Sequence, residues 1–406
     1  MRKAATDSHA VVIGAGIGGL TAAAALHQRG WQVTVLERAP SIEPLGSAIS
    51  LAPNAQRALD VIGLGDEVRR LAAWQGDGGM RTPGGRWLSR TNAEAARRAF
   101  GGPVVLLHRA VLVERLAALL PAGCVHTGVP AELAEPGAAG RPAVVRTPEG
   151  ELEAALVVGA DGINSGVRRV LFPGHQEPVH AGFTTWRLIV PAPDRSFPAH
   201  ESWGRGRLWG SQPLKDGRIY AYAAAAAPEG GRAPDDEKAE LRRLFGDWHH
   251  PVPALIAAAE PRQVLRHDVR HLTVPLPAHH RGRAVLVGDA AHPMTPSLGQ
   301  GGNQAIEDAI VLAHHAGSVQ GPGAVPGPAL AAHTADRLPR TTAIARRAAA
   351  TGRLTMLRSL PAVALRNTLI AAVSRVGPTV VLRSFADIAD WQPPQRTYAA
   401  QHSTST

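Results

Sequence analysis

Residues 9–38, HAVVIGAGIGGLTAAAALHQRGWQVTVLER, decide the fold. The run 9–13 is short, apolar and closed by a glycine, which reads as a buried strand. Residues 18–29 read as an alanine-rich helix ending at Gly30, a residue suited to a helix C-terminal cap. Residues 31–37 read as a second strand. A strand, a helix and a strand in this order imply a parallel sheet with right-handed crossovers, an α/β fold. In the turn between strand and helix, Gly14 permits the tight bend. Gly16 lets a pyrophosphate approach the backbone, and Gly19 lets the helix pack on the strand. The helix start adds free N–H groups and a positive dipole end. Glu37 closes the second strand, where an acid accepts ribose hydroxyls and disfavours a 2′-phosphate. The nucleotide so implied is FAD or NAD, not NADP.

Two further motifs follow apolar strands. Val157-Val158-Gly159-Ala160-Asp161-Gly162 runs into Ser165 and Arg168 at a helix start. Val287-Gly288-Asp289-Ala290-Ala291-His292-Pro293 leads through Pro296 to Gly299-Gln300-Gly301-Gly302-Asn303 and a long helix over 302–316. Each strand delivers an acid at its end, and the third motif feeds a helix whose free N–H groups stabilise negative charge on a ligand. A reduced flavin develops such charge.

Other helices are expected over 53–63, 109–120, 234–245 and 252–260, with strands at 142–146 and 155–159. Between about 178 and 225, short β-like runs alternate with Gly and Pro turns and read as antiparallel sheet. The domains are therefore discontinuous. Residues 1–177 and 268–330 form the nucleotide domain, 178–267 an inserted sheet domain, and 331–406 a helical region with a disordered tail. Residues 317–330 read as a loop.

The net charge is +10, yet the arginines are interleaved with acids and form no long basic run, so no nucleic-acid partner is expected. The single cysteine, Cys124, excludes an intramolecular disulfide and reads as a small buried hydrophobe. The histidines show no metal-ligand spacing, and no metal is expected. The start of the chain carries no signal peptide and no run of about 18 apolar residues occurs, so no membrane span and a cytoplasmic residence are expected. The apolar, arginine-spaced stretch 354–385 is left open between core packing, a dimer face, a lid and a membrane-surface contact.

Taken as a set, GAGIGG with Glu37-Arg38, Asp161-Gly162 and GDAAHPMTPSLGQGGNQAIEDA resemble the flavoprotein aromatic hydroxylases, which include the para-hydroxybenzoate, salicylate and urate hydroxylases. The resemblance is strong over 10–60, 155–170 and 283–316 and weak after about 340. It implies a Rossmann-like FAD domain of the GR2 type, a sheet-based substrate domain and C-terminal helices. Gly14, Gly16 and Gly19 would hold the pyrophosphate, Glu37 the ribose, Arg38 and the Val129 backbone the adenine. Arg109 would contact the FAD chain and Asp289 its ribityl or pyrophosphate part. Pro296, Gly299, Gly301, Gly302 and Asn303 would line the isoalloxazine ring, and Pro44 to Ile49, with Ala48, would pass near it. Asp161 and Gly162 would serve FAD and NAD(P)H.

The implied reaction consumes NADH or NADPH and O₂ and transfers one oxygen atom through a flavin C4a-hydroperoxide to an aromatic or apolar polycyclic molecule, in the manner of secondary metabolism. No second GxGxxG is present for a nicotinamide domain. Arg187 and Tyr222 are the candidate catalytic residues. Arg187 lies on the strand GFTTWRLIV with Trp186, where its fork can pair with an anionic or phenolate substrate. Tyr220 and Tyr222 lie two apart and share a strand face. His292 is expected to pack behind the third motif. The alternatives are a flavin oxidase or dehydrogenase and a non-catalytic FAD-binding sensor. Only three lysines are present, none in these segments, which argues against a halogenase. A monomer or a homodimer is compatible with the sequence.

Overall fold

The computed structural model describes residues 2–3, 8–42, 47–74, 78–91, 94, 98, 101–317, 327–376 and 386–394. The expected disordered tail, most of the 317–330 loop and Pro44 to Gly46 lie outside these residues.

The first motif begins as expected. β1 (His9–Ile13) enters α1 (Ile17–His27), which returns to β2 (Gln32–Glu37). β3 (Ala48–Leu51) and β4 (Val105–His108) pair antiparallel beside this unit. β5 (Leu156–Gly159) pairs parallel with β1. The inserted sheet follows as β6 (Val179–Pro191), β7 (Ala199–Trp203), β8 (Arg207–Pro213), β9 (Arg218–Ala226) and β10 (Leu265–His271). β11 (Ala284–Leu286) then joins β5, again parallel. Three long helices follow: α2 (Gly301–Ala316), α3 (Gly327–Thr355) and α4 (Leu360–Val376).

The central sheet has six strands, with β11, β5, β1 and β2 running side by side between 280–281 at one edge and 125–127 at the other. Ala10, Val11 and Val12 are fully buried, because helices and a second sheet layer cover both faces of such a sheet. α1 is buried on nearly every side. Its small side chains allow close packing on α2: a Cβ on Gly18 would lie 3.2 Å from the Ala305 Cβ.

The inserted sheet has seven strands, in the order β10, β6, β9, β8, β7, 78–81, 87–91. It reaches His271 and recruits the hairpin 78–91 from the range assigned to the first domain. The sheet thus starts at Val179, its strand β10 crosses position 267, and the strand 78–81 pairs parallel with β7. Trp186, Leu188 and Val190 on one face of β6 pack against helices 237–245 and 252–258. The opposite face turns Ile189, Tyr220 and Tyr222 toward Ala48 and Leu106 of the first domain. A cleft between sheet and nucleotide domain follows from this alternation. Cys124 is half-buried rather than buried. α3 continues through Pro339, a residue that usually interrupts a helix.

Candidate functional site

The Gly-rich turn carries its roles in its geometry. Gly14 has φ +106°, and a Cβ there would meet the Ala160 carbonyl oxygen at 2.5 Å. A Cβ on Gly19 would lie 2.0 Å from the Gly14 carbonyl oxygen. At Gly16 nothing lies within 4 Å of that position, so the chain leaves room where a phosphate would sit. Glu37 accepts the Ala15 N–H at 2.8 Å through one oxygen and the Ala39 N–H at 2.8 Å through the other. The acid thus shapes the turn with both of its oxygens. Val129 donates its N–H to the Glu37 carbonyl at 2.9 Å, which leaves only its own carbonyl for an adenine. Arg38 is exposed at the rim.

The second motif has a structural role of its own. The Asp161 carboxylate accepts the Ser165 hydroxyl at 2.5 Å and the Val167 N–H at 3.1 Å, so it caps helix 166–171. Gly162 turns the chain with φ +77°. That helix presents Arg168, only 2% exposed, which donates to the Ala290 carbonyl at 3.1 Å. The second motif thereby braces the third.

In the third motif, Gly288, with φ +58°, opens the turn that places Asp289 in the cleft. The Gly288 N–H donates to Asp308 at 2.9 Å, and His292 meets the same carboxylate oxygen at 2.5 Å. His292 therefore packs behind the motif, as expected. Burial opposes the charge on Asp308, but His292 and Arg337 hold its carboxyl well below the usual range. Arg337 bonds both Asp308 and Glu307, and all three side chains are buried.

Pro296 and Gly299 are exposed to the cleft, and Gly301 and Gly302 begin α2 with free N–H groups. Asn303 differs. Its side chain is buried and accepts the Ala52 N–H at 2.9 Å while donating to the Ser50 and Gly299 carbonyls. Its side chain ties β3 to the glycine loop, with both amide N–H groups given to backbone carbonyls.

Arg109 starts helix 109–117, and its N–H donates to the Ser47 carbonyl at 2.9 Å. Its Nε is buried without a partner among the described residues. Burial pushes the Arg109 guanidinium down, the Asp289 charge raises it, and Arg187 lowers it. Arg109, Asp289 and Arg187 therefore share one electrostatic environment. Asp289 is open to the cleft, so water moderates the upward push that the surrounding protein exerts on its carboxyl.

Arg187 is half-buried on the cleft face of β6, and no described residue forms a hydrogen bond or ion pair with its guanidinium. Trp186 points the other way and donates to Glu237 at 2.7 Å. Tyr222 pairs with Arg187 across the strands, its ring 5.6 Å from that of Tyr220. Its hydroxyl donates to Glu201 at 2.5 Å. Burial, and then the Glu201 charge, hold the Tyr222 proton on well above its ordinary range. Tyr222 is thus no proton acceptor in its ionised form.

The sequence reading missed His267, Glu201 and the acid pair Glu307-Asp308, and it placed Arg168 at a helix start without a partner. His267 pairs with Thr185 on β6 and lies near Arg187 and Arg109. Only Glu307-Asp308 had a signal, two adjacent acids followed by the apolar run Ala309–Ala313 of the same helix. Among the described residues no cluster of His, Cys, Asp or Glu could hold a metal.

An open phosphate position at Gly16, two free helix starts and an unpartnered Arg109 Nε fit FAD. The comparisons agree. The family described as FAD binding domain matches residues 7–348. The chain is 37% identical over 306 residues to the aurachin C monooxygenase/isomerase of Stigmatella aurantiaca, covering 75% of this chain and 79% of the relative. It is 36% identical over 362 residues to the 3-amino-4-hydroxybenzoate 2-monooxygenase of Streptomyces cremeus, covering 84% and 86%. The structure of Klebsiella pneumoniae HpxO complexed with FAD and uric acid superposes with a TM-score of 0.83 at 26% identity, covering 95% of this chain and 97% of that one. The chain belongs to the class A flavoprotein aromatic hydroxylases, a family of FAD-dependent monooxygenases.

Proposed function

We propose that this monooxygenase consumes NAD(P)H in the cytoplasm and inserts one atom of O₂ into an aromatic or apolar polycyclic small molecule bound between the seven-stranded sheet and the FAD cleft. The observation that carries the reading is Arg187, a cation facing the cleft with no described partner. An unpaired guanidinium beside Asp289 and Arg109 is suited to a phenolate or carboxylate. Relatives named for 3-amino-4-hydroxybenzoate and for urate point to acidic or heteroaromatic rings. When bound, FAD reduced by NAD(P)H supplies the activation of O₂ and the transfer of one oxygen atom.

This chain's part is to place the substrate and exclude water. Arg187 orients the anionic group, while Tyr220, Tyr222, Ile189 and Ala48 supply the apolar wall. The neighbours of His267 include Arg187 and Arg109, and burial pushes its imidazole down, which suits a neutral acceptor for a substrate proton. The helix start at Gly301 and Gly302 offers N–H groups to the flavin, and Asp289 accepts from its side chain.

The test is the anaerobic rate at which NADH or NADPH bleaches the bound flavin, with and without a panel of hydroxybenzoates, hydroxyquinolines and purines. A large acceleration by one compound, lost in Arg187→Ala while FAD stays bound, is expected. Bleaching that no compound accelerates, with peroxide as the sole product, would turn the reading to an oxidase. No bleaching at all would turn it to a flavin-binding sensor.

A further inference from the structure

α4 wears its amphipathicity inside out. The residues it turns to solvent are Leu360, Pro361, Ala364, Leu365, Thr368, Leu369, Ala372, Val373 and Arg375, so Thr368 and Arg375 are the polar members of an otherwise apolar face. Leu365, Leu369 and Val373 recur every four residues and form one stripe, with Leu365 61% and Leu369 56% exposed. Among the described residues seven large hydrophobic side chains are exposed, and five of them fall between Leu354 and Val373. Scattered singly they would need no account; gathered on one bend and one helix they do.

The helix is held in this orientation by its polar side. Arg366, 3% exposed, turns inward and donates to the carbonyls of Leu354, Thr355 and Gly204 at 3.1 to 3.2 Å. Its guanidinium also lies 5.4 Å from the Trp203 ring centre. Turning the leucines inward would strand this buried cation, so the outward stripe is a built feature.

The surrounding charge selects the occupant. Between Asp336 and Asp387 the sequence has nine arginines and no acid. Arg353 and Arg358 are exposed at the bend beside Leu354 and Leu360, and Arg375 is exposed at the far end of the stripe. A second copy related by a twofold axis would set arginine against arginine, which a symmetric interface of this composition does not compensate. An anionic bilayer compensates it, and an apolar stripe rimmed by arginine has the pattern of a helix lying in the interfacial plane. No single described helix is long and apolar enough to cross a membrane; α3 and α4 reach that length and hydropathy only as a pair bent by 117° at the break, and the inward Arg366 of α4 favours a helix lying on the surface.

We propose that the bend Arg353–Leu360 and the outer face of α4 dock this enzyme on an anionic phospholipid surface. The leucine stripe enters the headgroup boundary and the arginines meet lipid phosphates.

The test is co-sedimentation of the FAD-loaded enzyme with vesicles of phosphatidylcholine alone, or with about one third phosphatidylglycerol, alongside light scattering of the enzyme without lipid. Binding to the anionic vesicles at least about tenfold tighter than to the neutral ones is expected, weakening as salt rises. Leu365→Ser with Leu369→Ser alters exposed side chains only, and should bind FAD as before and lose vesicle binding. Arg358→Glu with Arg375→Glu should lose it by about tenfold or more. Vesicle binding that survives the leucine changes would overturn the proposal, because the +10 net charge would then suffice. So would absence of binding, with or without a dimer that the leucine changes dissociate.

Discussion

The Gly288 N–H donates to the Asp308 carboxylate at 2.9 Å, and this one bond fixes the turn that presents Asp289 to the start of α2. Arg337 donates to the other Asp308 oxygen at 2.7 Å. Asp308→Ala removes an acceptor from a buried N–H and leaves Arg337 with half its counter-charge. The expected cost is about 3–5 kcal/mol in urea unfolding, together with loss of bound FAD. Asp308→Asn keeps a carbonyl for Gly288 and should recover part of both. Equal loss in the two variants would show that charge, not the Gly288 bond, sets the turn.

Gly16 and Gly19 separate folding from binding. Gly16→Val places its side chain in open space at an extended backbone, so the chain should fold with unchanged unfolding midpoint and release FAD. Gly19→Ala drives a methyl into the Gly14 carbonyl, so the turn itself must shift and the folded yield should fall. Absorbance of retained flavin and circular dichroism on both variants decide the point. A Gly16→Val protein that keeps its flavin would move the phosphate elsewhere.

Asp289 faces the cleft and holds up no described neighbour by a hydrogen bond. Asp289→Ala should therefore leave stability nearly unchanged and weaken FAD binding by about ten- to a hundredfold, the range of hydrogen bonds to a charged acceptor. Fluorescence titration of the apoprotein with FAD measures it. Full flavin occupancy would remove the third motif from the binding site.

The difference between Asp289 and Asp308 shows what sequence patterns carry. Strand-to-glycine transitions announce where a chain turns and which acid stands at the turn, so Gly14, Glu37 and Asp289 were legible. The apolar period of β6 made its two faces legible too. Long-range polar partners have no such periodicity. Nothing near Arg337 indicates that it will cross to Asp308, or near Arg168 that it will reach the Ala290 carbonyl. For the same reason the glycine loop gives no hint that the Asn303 side chain reaches back to the Ala52 N–H and the Ser50 carbonyl. The hairpin 78–91 was missed because its parallel partner β7 lies more than 100 residues away in a different α/β context.

Acid should destabilise the enzyme in a defined window. Burial, opposed by Asp308, pushes the His333 imidazole down to about 4. The unfolded chain takes up that proton near pH 6.5, while the folded chain refuses it until about pH 4. The unfolded state thus binds more protons through this interval, and stability falls as pH falls across it. For this fully buried group the loss is about 3 kcal/mol at the acid end. His200, also pushed to about 4 by burial, acts in the same sense. His333→Leu should flatten the dependence of unfolding free energy on pH between 6.5 and 4. An unaltered slope would mean that His333 opens to water before the chain unfolds.

Tyr222 is the most informative single atom deletion in the cleft. Its ring covers Gly210, where a Cβ would lie 2.1 Å from the Tyr222 ring, and stacks beside Tyr220. Tyr222→Phe keeps that packing and removes only the hydroxyl. Glu201 then retains the Trp203 indole N–H at 2.9 Å, so its carboxylate is not stranded. The stability cost should stay at about 1 kcal/mol. If the hydroxyl oxygen also accepts from the substrate, the substrate-stimulated rate of flavin bleaching should fall about tenfold while FAD affinity holds. A rate unchanged from the parent enzyme would confine Tyr222 to bracing Glu201 against the sheet. Glu201→Gln, which keeps an acceptor in place and removes the charge, would then reproduce the parent rate as well. Opposite behaviour of the two variants would assign the charge of Glu201, rather than the phenol, to substrate placement.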